Sequence, residues 1–467
     1  MNTLTLDFTG LPLTADNPAI AQAYQQTMAQ FLAYSRTTGQ HLKDTLRLQP
    51  DLCMGLCLQG YLHILSGQRP QLKPAAKALQ AAQAAAPTAT AREQAHVEAL
   101  AVWLDGNWVA ANQIWERILL DYPRDILALK LAQFTHFYLG ALEPLRDCTA
   151  RVLPAWQEHT PGYGYVLGMR AFGLEETGDY AAAERFGRAA VERNPADAWA
   201  IHAVAHVMEM QDRQHEGICW LDDLATHWQP INNFRYHLLW HRALMLLDCG
   251  AAEQTLAFYD QQLWDPDSQE YLDLCNNASL LLRLEIAGLD VGERWQALAE
   301  KTRQRFDDHI LAFIDAHFML ILARSDRAAA LDMLASQQAL AATGGGTRLT
   351  PRITARLGVP LSEALLAYSQ GDYADTVDIL LPLRYQLRQL GGSHAQRDMF
   401  IQILLEATLR ARRWPLARAL LAERCALKPN NPWSWQRYAE VLRETGDHAG
   451  AEQAAAHWQQ CLLARRF

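Results

Sequence analysis

The chain has no run of about 18 apolar residues, the length a membrane helix needs. It also lacks the phosphate-loop and nucleophile signatures GxGxxG, GxxxxGK[ST] and GxSxG. Its N-terminus, MNTLTLDFTGLPLTADNP, has neither the basic start nor the apolar stretch of a secretion signal. No CxxC pair occurs among the eight cysteines, Cys53, Cys57, Cys148, Cys219, Cys249, Cys275, Cys425 and Cys461. Thiols scattered in this way are expected to be reduced and buried, in a cytoplasmic protein. Positive charge is in short supply: the net charge is −9 and no basic patch carries interleaved aromatics. The expectation is therefore no nucleic-acid partner and no membrane. Alternating β-branched runs are scarce, which excludes an all-β fold.

What the chain does have is repetition. The stretch ETGDYAAAE (176–184) returns as ETGDHAGAE (444–452), seven of nine residues agreeing. Two looser versions are DGNWVAANQ (105–113) and QGDYADTVD (370–378). After Gly178, a small residue follows five positions on (Ala183) and a proline seventeen on (Pro195); Gly106, Ala111 and Pro123 keep the same intervals. A recurring unit of this size signals a solenoid. Glycine suits the turn after a helix, small residues suit a close helix crossing, and proline ends the second helix. The spacing resembles the tetratricopeptide repeat.

The expected fold is all-α, a tetratricopeptide-like helical-repeat superhelix. An irregular arm is expected over 1–18, a repeat solenoid over 19–342, a surface loop over 343–351 (TGGGTRLTP), and a C-terminal repeat segment over 352–467. At 467 residues the chain exceeds one ordinary core, which an elongated array accommodates.

Several segments resemble one family in particular, the tetratricopeptide repeat protein 38 family. They run in order and cover most of the chain: REQAHVEAL (92–100), DILALKLAQFTHFYLG (125–140), FGLEETGDYAAAE (172–184), DAWAIHAVAHVMEMQ (197–211), YHLLWHRALMLLDCG (236–250), LLLRLEIAGLDVGERW (280–295), DHILAFIDAHFML (308–320), LGGSHAQRDMF (390–400) and ERCALKPN (423–430). The resemblance implies a helical-repeat fold. It implies no particular reaction.

The chemistry concentrates in IHAVAHVMEMQ (201–211). With Gly217 set at the helix-crossing position, Ile201, Val204, Ala205, Met208, Leu221 and Leu224 take the packing positions. Trp199, His202, His206 and Glu209 then fall on the row that lines a concave groove. The turn that follows, QDRQ, contains no glycine. A histidine pair four residues apart chelates a metal well on a helix, and Glu209 stands one turn on, as third ligand, orienting group or general base. The next helix repeats the spacing in RYHLLWH, with His237 and His241; these two also suit a core position beside Trp240. Metal ligation by His202, His206, His237 and His241, by Zn or Fe, is one expectation.

Asp315 and His317 in IDAHFML, and His394, Arg397 and Asp398 in GGSHAQRD, are further candidates for ligand contact. Ser393 and Gln396 form a capping-box pattern that starts a helix. Arg397 suits a carboxylate or phosphate, with Asp398 free to neutralise it. His96 and His136 read as packing or groove residues. LRARRW (409–414) reads as a solvated helix face.

Two functions fit these residues. One is a binding groove for a small molecule or peptide, lined by Trp199 and the histidines; it requires an open groove with histidines too far apart to share an ion. The other is a metal-dependent hydrolase or oxygenase-like enzyme, with Glu209, His206 and Asp398 as candidate catalytic groups. It requires an enclosed pocket with at least three ligands about 2.1 Å from one point. Trp433, Trp435, Trp458 and Phe467 crowd the C-terminal end and fit either a homodimer contact or a terminal cap.

Overall fold

The same local chemistry starts repeat after repeat. Gly106, Gly178 and Gly446 take positive φ of 86°, 84° and 79°, ending one helix. The next residue in each case, Asn107, Asp179 or Asp447, accepts an amide hydrogen bond from the new helix. Turns without glycine do the same with other residues. Asp212 (φ 57°) serves the QDRQ turn, and Arg412 (φ 53°) serves LRARRW, which is a turn between helices rather than a helix face.

The computed structural model describes residues 4–463. Helix–turn–helix pairs run from Pro18 to Leu463 and give an all-α, tetratricopeptide-like helical-repeat solenoid. The strands among the described residues are Leu4–Leu6 and Pro12–Thr14, paired antiparallel. They correct the irregular arm. The Asp7 carboxylate gathers the Thr9 and Leu11 amides into a tight turn, a pattern too short to announce itself as alternating sequence. Phe467, one of the aromatics counted at the C-terminal end, lies outside the described residues.

Six helices frame the site: α1 (Ile126–Tyr138), α2 (Tyr163–Glu175), α3 (Ala198–Met210), α4 (Phe234–Asp248), α5 (Tyr271–Ile286) and α6 (His394–Arg410). Asp197 caps α3 by accepting from the Trp199 and Ala200 amides at 3.1 Å. Ile201, Val204, Ala205, Met208 and Leu221 are all fully buried, as the repeat register requires. A Cβ on Gly217 would stand 2.5 Å from the Met245 sulfur, so glycine gives that flexible side chain its room where these helices cross.

Helix α3 is covered on every side. It packs on α2, α4 and, from far along the chain, α6, while α5 joins α4 to α6. Its alanines, Ala198, Ala200, Ala203 and Ala205, are fully buried and let these neighbours approach. The superhelix also closes on itself. The Asn232 amide donates to Tyr34 O at 2.8 Å, Leu349 N to Gly106 O at 2.9 Å, and His394 Nε2 to Glu176 O at 2.8 Å. The second of these lays the 343–351 segment against an early turn. The groove-facing row of α3 therefore faces a closed interior.

No helix of the described residues is long and apolar enough to cross a membrane. The eight cysteines form no disulfide; six are buried, while Cys219 is exposed and Cys249 partly so.

Candidate metal centre and adjoining pocket

Helices α3 and α4 each carry two histidines one turn apart, and their packing brings all four together. One ring nitrogen from each of His202, His206, His237 and His241 lies within 4.8 Å of the others. All four residues are at most 4 % exposed. His202 Nε2 is 3.1 Å from His237 Nε2, which is 3.3 Å from His241 Nε2. The His206 ring centre lies 4.4 Å from that of His202 and 4.3 Å from that of His241.

The outer nitrogens face polar groups on neighbouring helices. His241 Nδ1 is 2.7 Å from the Glu209 carboxylate, and His237 Nδ1 is 3.2 Å from Asn276 Oδ1 on α5. His206 Nδ1 stands 3.6 Å from Glu175 at the end of α2, which leaves its Nε2 for the cluster. Acceptors on Nδ1 fix the proton there and turn the Nε2 lone pair inward, the arrangement usual around metal-binding histidines. Of the roles open to Glu209, the geometry matches the orienting one.

Lone pairs cannot face one another at 3.1–3.3 Å without something between them. A proton on His202 Nε2 would serve His237 but leave His241 Nε2 facing a lone pair. Both ring nitrogens of His206, and His202 Nδ1, have no hydrogen-bond partner at all. Burial, and then the neighbouring imidazoles, push His202, His237 and His241 well below the ordinary histidine range, so all three are neutral. Burial also pushes His206 down, but the Glu175 carboxylate outweighs it and the net shift is upward. Glu175 is itself raised by burial.

Two of the separations match those around an ion. With bonds of 2.0–2.1 Å, neighbouring nitrogens stand roughly 3.3–3.4 Å apart around a tetrahedral ion and about 3.0 Å apart around an octahedral one. The observed separations of 3.1 and 3.3 Å lie across that interval. Imidazole ligands suit Zn and Fe, among other transition metals.

His202 and His237 also line a cavity of about 360 Å³. Its walls include Tyr34, Phe134, Phe137, Phe172, Trp199 and Phe234. Phe234 stacks on Tyr34 with ring centres 4.6 Å apart, and Trp199 lies 4.6 Å from Phe172. His202 and His237 thus form part of the wall of a partly open, aromatic pocket.

The remaining sequence candidates are placed elsewhere. Asp315 binds His309 at 3.0 Å, and His317 binds the Phe313 carbonyl at 2.8 Å; neither reaches the four histidines. His394 and Arg397 meet Glu176, Arg397 at 3.6 Å, and Arg397 also donates to the Gly392 carbonyl. Asp398 does not neutralise Arg397. Arg424 holds it through two bonds of 2.6 and 2.8 Å and keeps its carboxyl far below the usual range despite burial. The Ser393–Gln396 capping box is present, and both residues line the cavity. His96 binds Asp125 and His136 binds Glu116, as structural groups.

Sequence reasoning passed over Glu175, Asn276 and Lys130. Glu175 directly precedes the repeat signature ETGDYAAAE, where it reads as turn chemistry. Asn276 and Lys130 stand out only as polar residues in otherwise apolar runs, LCNNASLLL and DILALKLAQF.

No protein-family model matches the chain. Among solved structures, Naa15/Naa10 bound to HypK-THB matches 95% of this chain at 12% identity with a TM-score of 0.23; this chain spans 63% of that one, less than two thirds of its length. The human IFIT1 dimer with m7Gppp-AAAA matches 97% of this chain and 96% of its own at 12% identity, TM-score 0.38. A monomeric IFIT1 mutant with Gppp-AAAA matches 95% of both chains, again at 12% identity, TM-score 0.33. At such identity the likeness is one of fold alone. The expectation of no nucleic-acid partner does not stand: the matched IFIT1 structures are those with m7Gppp-AAAA and Gppp-AAAA.

Proposed function

We propose that this chain is a metal-dependent helical-repeat protein. His202, His206, His237 and His241 hold one Zn or Fe ion beside the aromatic cavity, and the ion acts on a small, largely apolar molecule bound there. The observation that carries this reading is the convergence of three Nε2 atoms at 3.1 and 3.3 Å, with outer nitrogens turned to Glu209 and Asn276. Four neutral ligands leave the ion its full charge, which favours Lewis-acid work or oxygen activation, the hydrolase and oxygenase-like options. Glu209 and the Glu175–His206 pair orient the ligands and carry protons nearby. A groove binder without metal is the weaker reading, because it requires histidines too far apart to share an ion. The ordered segments that resemble the tetratricopeptide repeat protein 38 family make membership of that family part of the same proposal.

The test is metal content of untagged protein, measured beside His202→Ala and His237→Ala variants. Near-stoichiometric Zn or Fe, lost in both variants, is expected. Metal-free protein that stays metal-free after reconstitution with Zn or Fe(II) would sink the centre.

A further inference from the structure

One cation stands in the wall of the aromatic cavity. Lys130 comes from α1, in the run DILALKLAQF, whose other positions are mostly apolar. Its Nζ donates to the Tyr34 hydroxyl at 2.9 Å and lies 4.1 Å from the Trp199 ring centre and 4.9 Å from that of Tyr34. The ring faces attract an ammonium but offer it no acceptor. Three donors are available on the ammonium and one is used. Among the described residues Lys130 makes no ion pair. Asp197, the carboxylate that bears on it, spends one oxygen on capping α3. Of the acids of the cavity, Glu270 has Arg305 as its neighbouring charge, and Asp273 is already held by Asn233 and Ser268 at 2.8 and 2.5 Å.

An unpaired cation in an apolar wall is costly, and a bound anion offsets that cost through a charge-assisted hydrogen bond. We propose that the cavity selects small aromatic acids: the ligand carboxylate pairs with Lys130 Nζ, and the ring lies among Trp199, Phe172 and Phe234 beside His202. This rests on the cavity being the ligand site proposed above, and it names the class of molecule that the metal would meet. Burial pushes the Lys130 amine down to about 7, so an arriving carboxylate would also draw a proton onto it, in keeping with a site that waits for a negative partner.

The probe is 3-phenylpropionate against its primary amide, which has the same shape without the charge. Binding of each is measured by calorimetry at pH 7, on protein loaded with Zn or Fe(II) and on protein stripped of metal. The acid is expected to bind about 10- to 100-fold more tightly than the amide, the range of a charged over a neutral hydrogen bond. Lys130→Met should erase that preference, and a cooperative melt shows that the variant is folded. Equal binding of acid and amide, binding of neither, or a preference that survives Lys130→Met overturns the proposal. The wild-type comparison decides even where the variant does not fold. A protein that binds metal but shows no acid preference loses this inference alone. One that prefers the acid but takes up no metal loses only the metal centre.

Discussion

Two of the buried polar clusters among the described residues differ in how completely their groups are satisfied. In the N-terminal cluster, Arg92 bridges Asp7 and Asp125 at 3.1 Å each and donates to the Pro12 carbonyl at 2.8 Å. His96 adds a 3.0 Å bond to Asp125, and Glu93 is held by Thr14 and Thr90. Only Arg92 Nε there lacks a partner. In the central cluster, Glu175, Glu176, His202 and His206 all keep polar atoms without hydrogen bonds, at nearly complete burial. Proteins seldom leave such groups unmet. The satisfied cluster ties the hairpin to the repeats and is finished as it stands. The central one keeps unmet groups, which the proposed ion would satisfy in part.

The comparison breaks most readily at Arg92. Arg92→Met would leave Asp7 and Asp125 buried without their counter-charge, a loss of about 3–5 kcal/mol typical of half-removed buried pairs. Denaturant midpoints should fall accordingly, while the metal content of the folded fraction stays unchanged. Loss of metal together with stability would show that the two clusters are one cooperative unit.

Metal removal probes the other side. Chelation of a saturated centre should lower stability by about 3–4 kcal/mol if the free ion stood at 100 to 1,000 times its dissociation constant. Thermal melts with and without chelator measure this, and they should converge in His237→Ala. A chelator effect that persists in that variant would place the ion elsewhere.

Acid separates the clusters further. Burial pushes Asp125 up, but His96 and Arg92 outweigh it and hold its carboxyl far below the usual range. A carboxyl depressed on folding contributes stability that is present above its unfolded value, about 3.9, and is lost as pH falls through the folded one. Stability should therefore fall below about pH 4, more steeply in the wild type than in Asp125→Asn. Parallel acid limbs would show that Asp125 contributes nothing through its charge.

The central cluster was legible in the sequence because its signal is local. His202/His206 and His237/His241 are one-turn pairs on consecutive helices, and a repeat register puts both pairs on the inner face. The N-terminal cluster was not. Arg92 meets Asp125 and Asp7 across 33 and 85 residues, and nothing in REQAHVEAL announces either partner. Closure of the superhelix was equally hidden, since single hydrogen bonds such as Asn232 to Tyr34 leave no periodicity. Asp398 found Arg424, on the next helix in the chain (Trp414–Leu427), rather than its neighbour Arg397. The missing glycine in QDRQ was a warning that proved harmless, because Asp212 takes the left-handed conformation itself.

The smallest effect compares two capping boxes, one beside each cluster. Thr90 and Glu93 start the helix Ala91–Leu104 of the satisfied cluster, and Ser393 and Gln396 start α6 at the cavity. Thr90→Ala and Ser393→Ala should each cost about 1 kcal/mol, the ordinary worth of a cap. The consequences should then diverge. Thr14 still holds Glu93 when Thr90 is gone, so the N-terminal damage stays local. Gln396 loses the reciprocal partner that fixes its backbone amide, and Gln396 is a cavity wall. Affinity for a cavity ligand such as 3-phenylpropionate should fall in Ser393→Ala and hold steady in Thr90→Ala. Equal losses of stability with unequal losses of binding would separate a cap that only builds a helix from one that also shapes a site. An unchanged affinity in both would mean that the α6 terminus contributes structure alone.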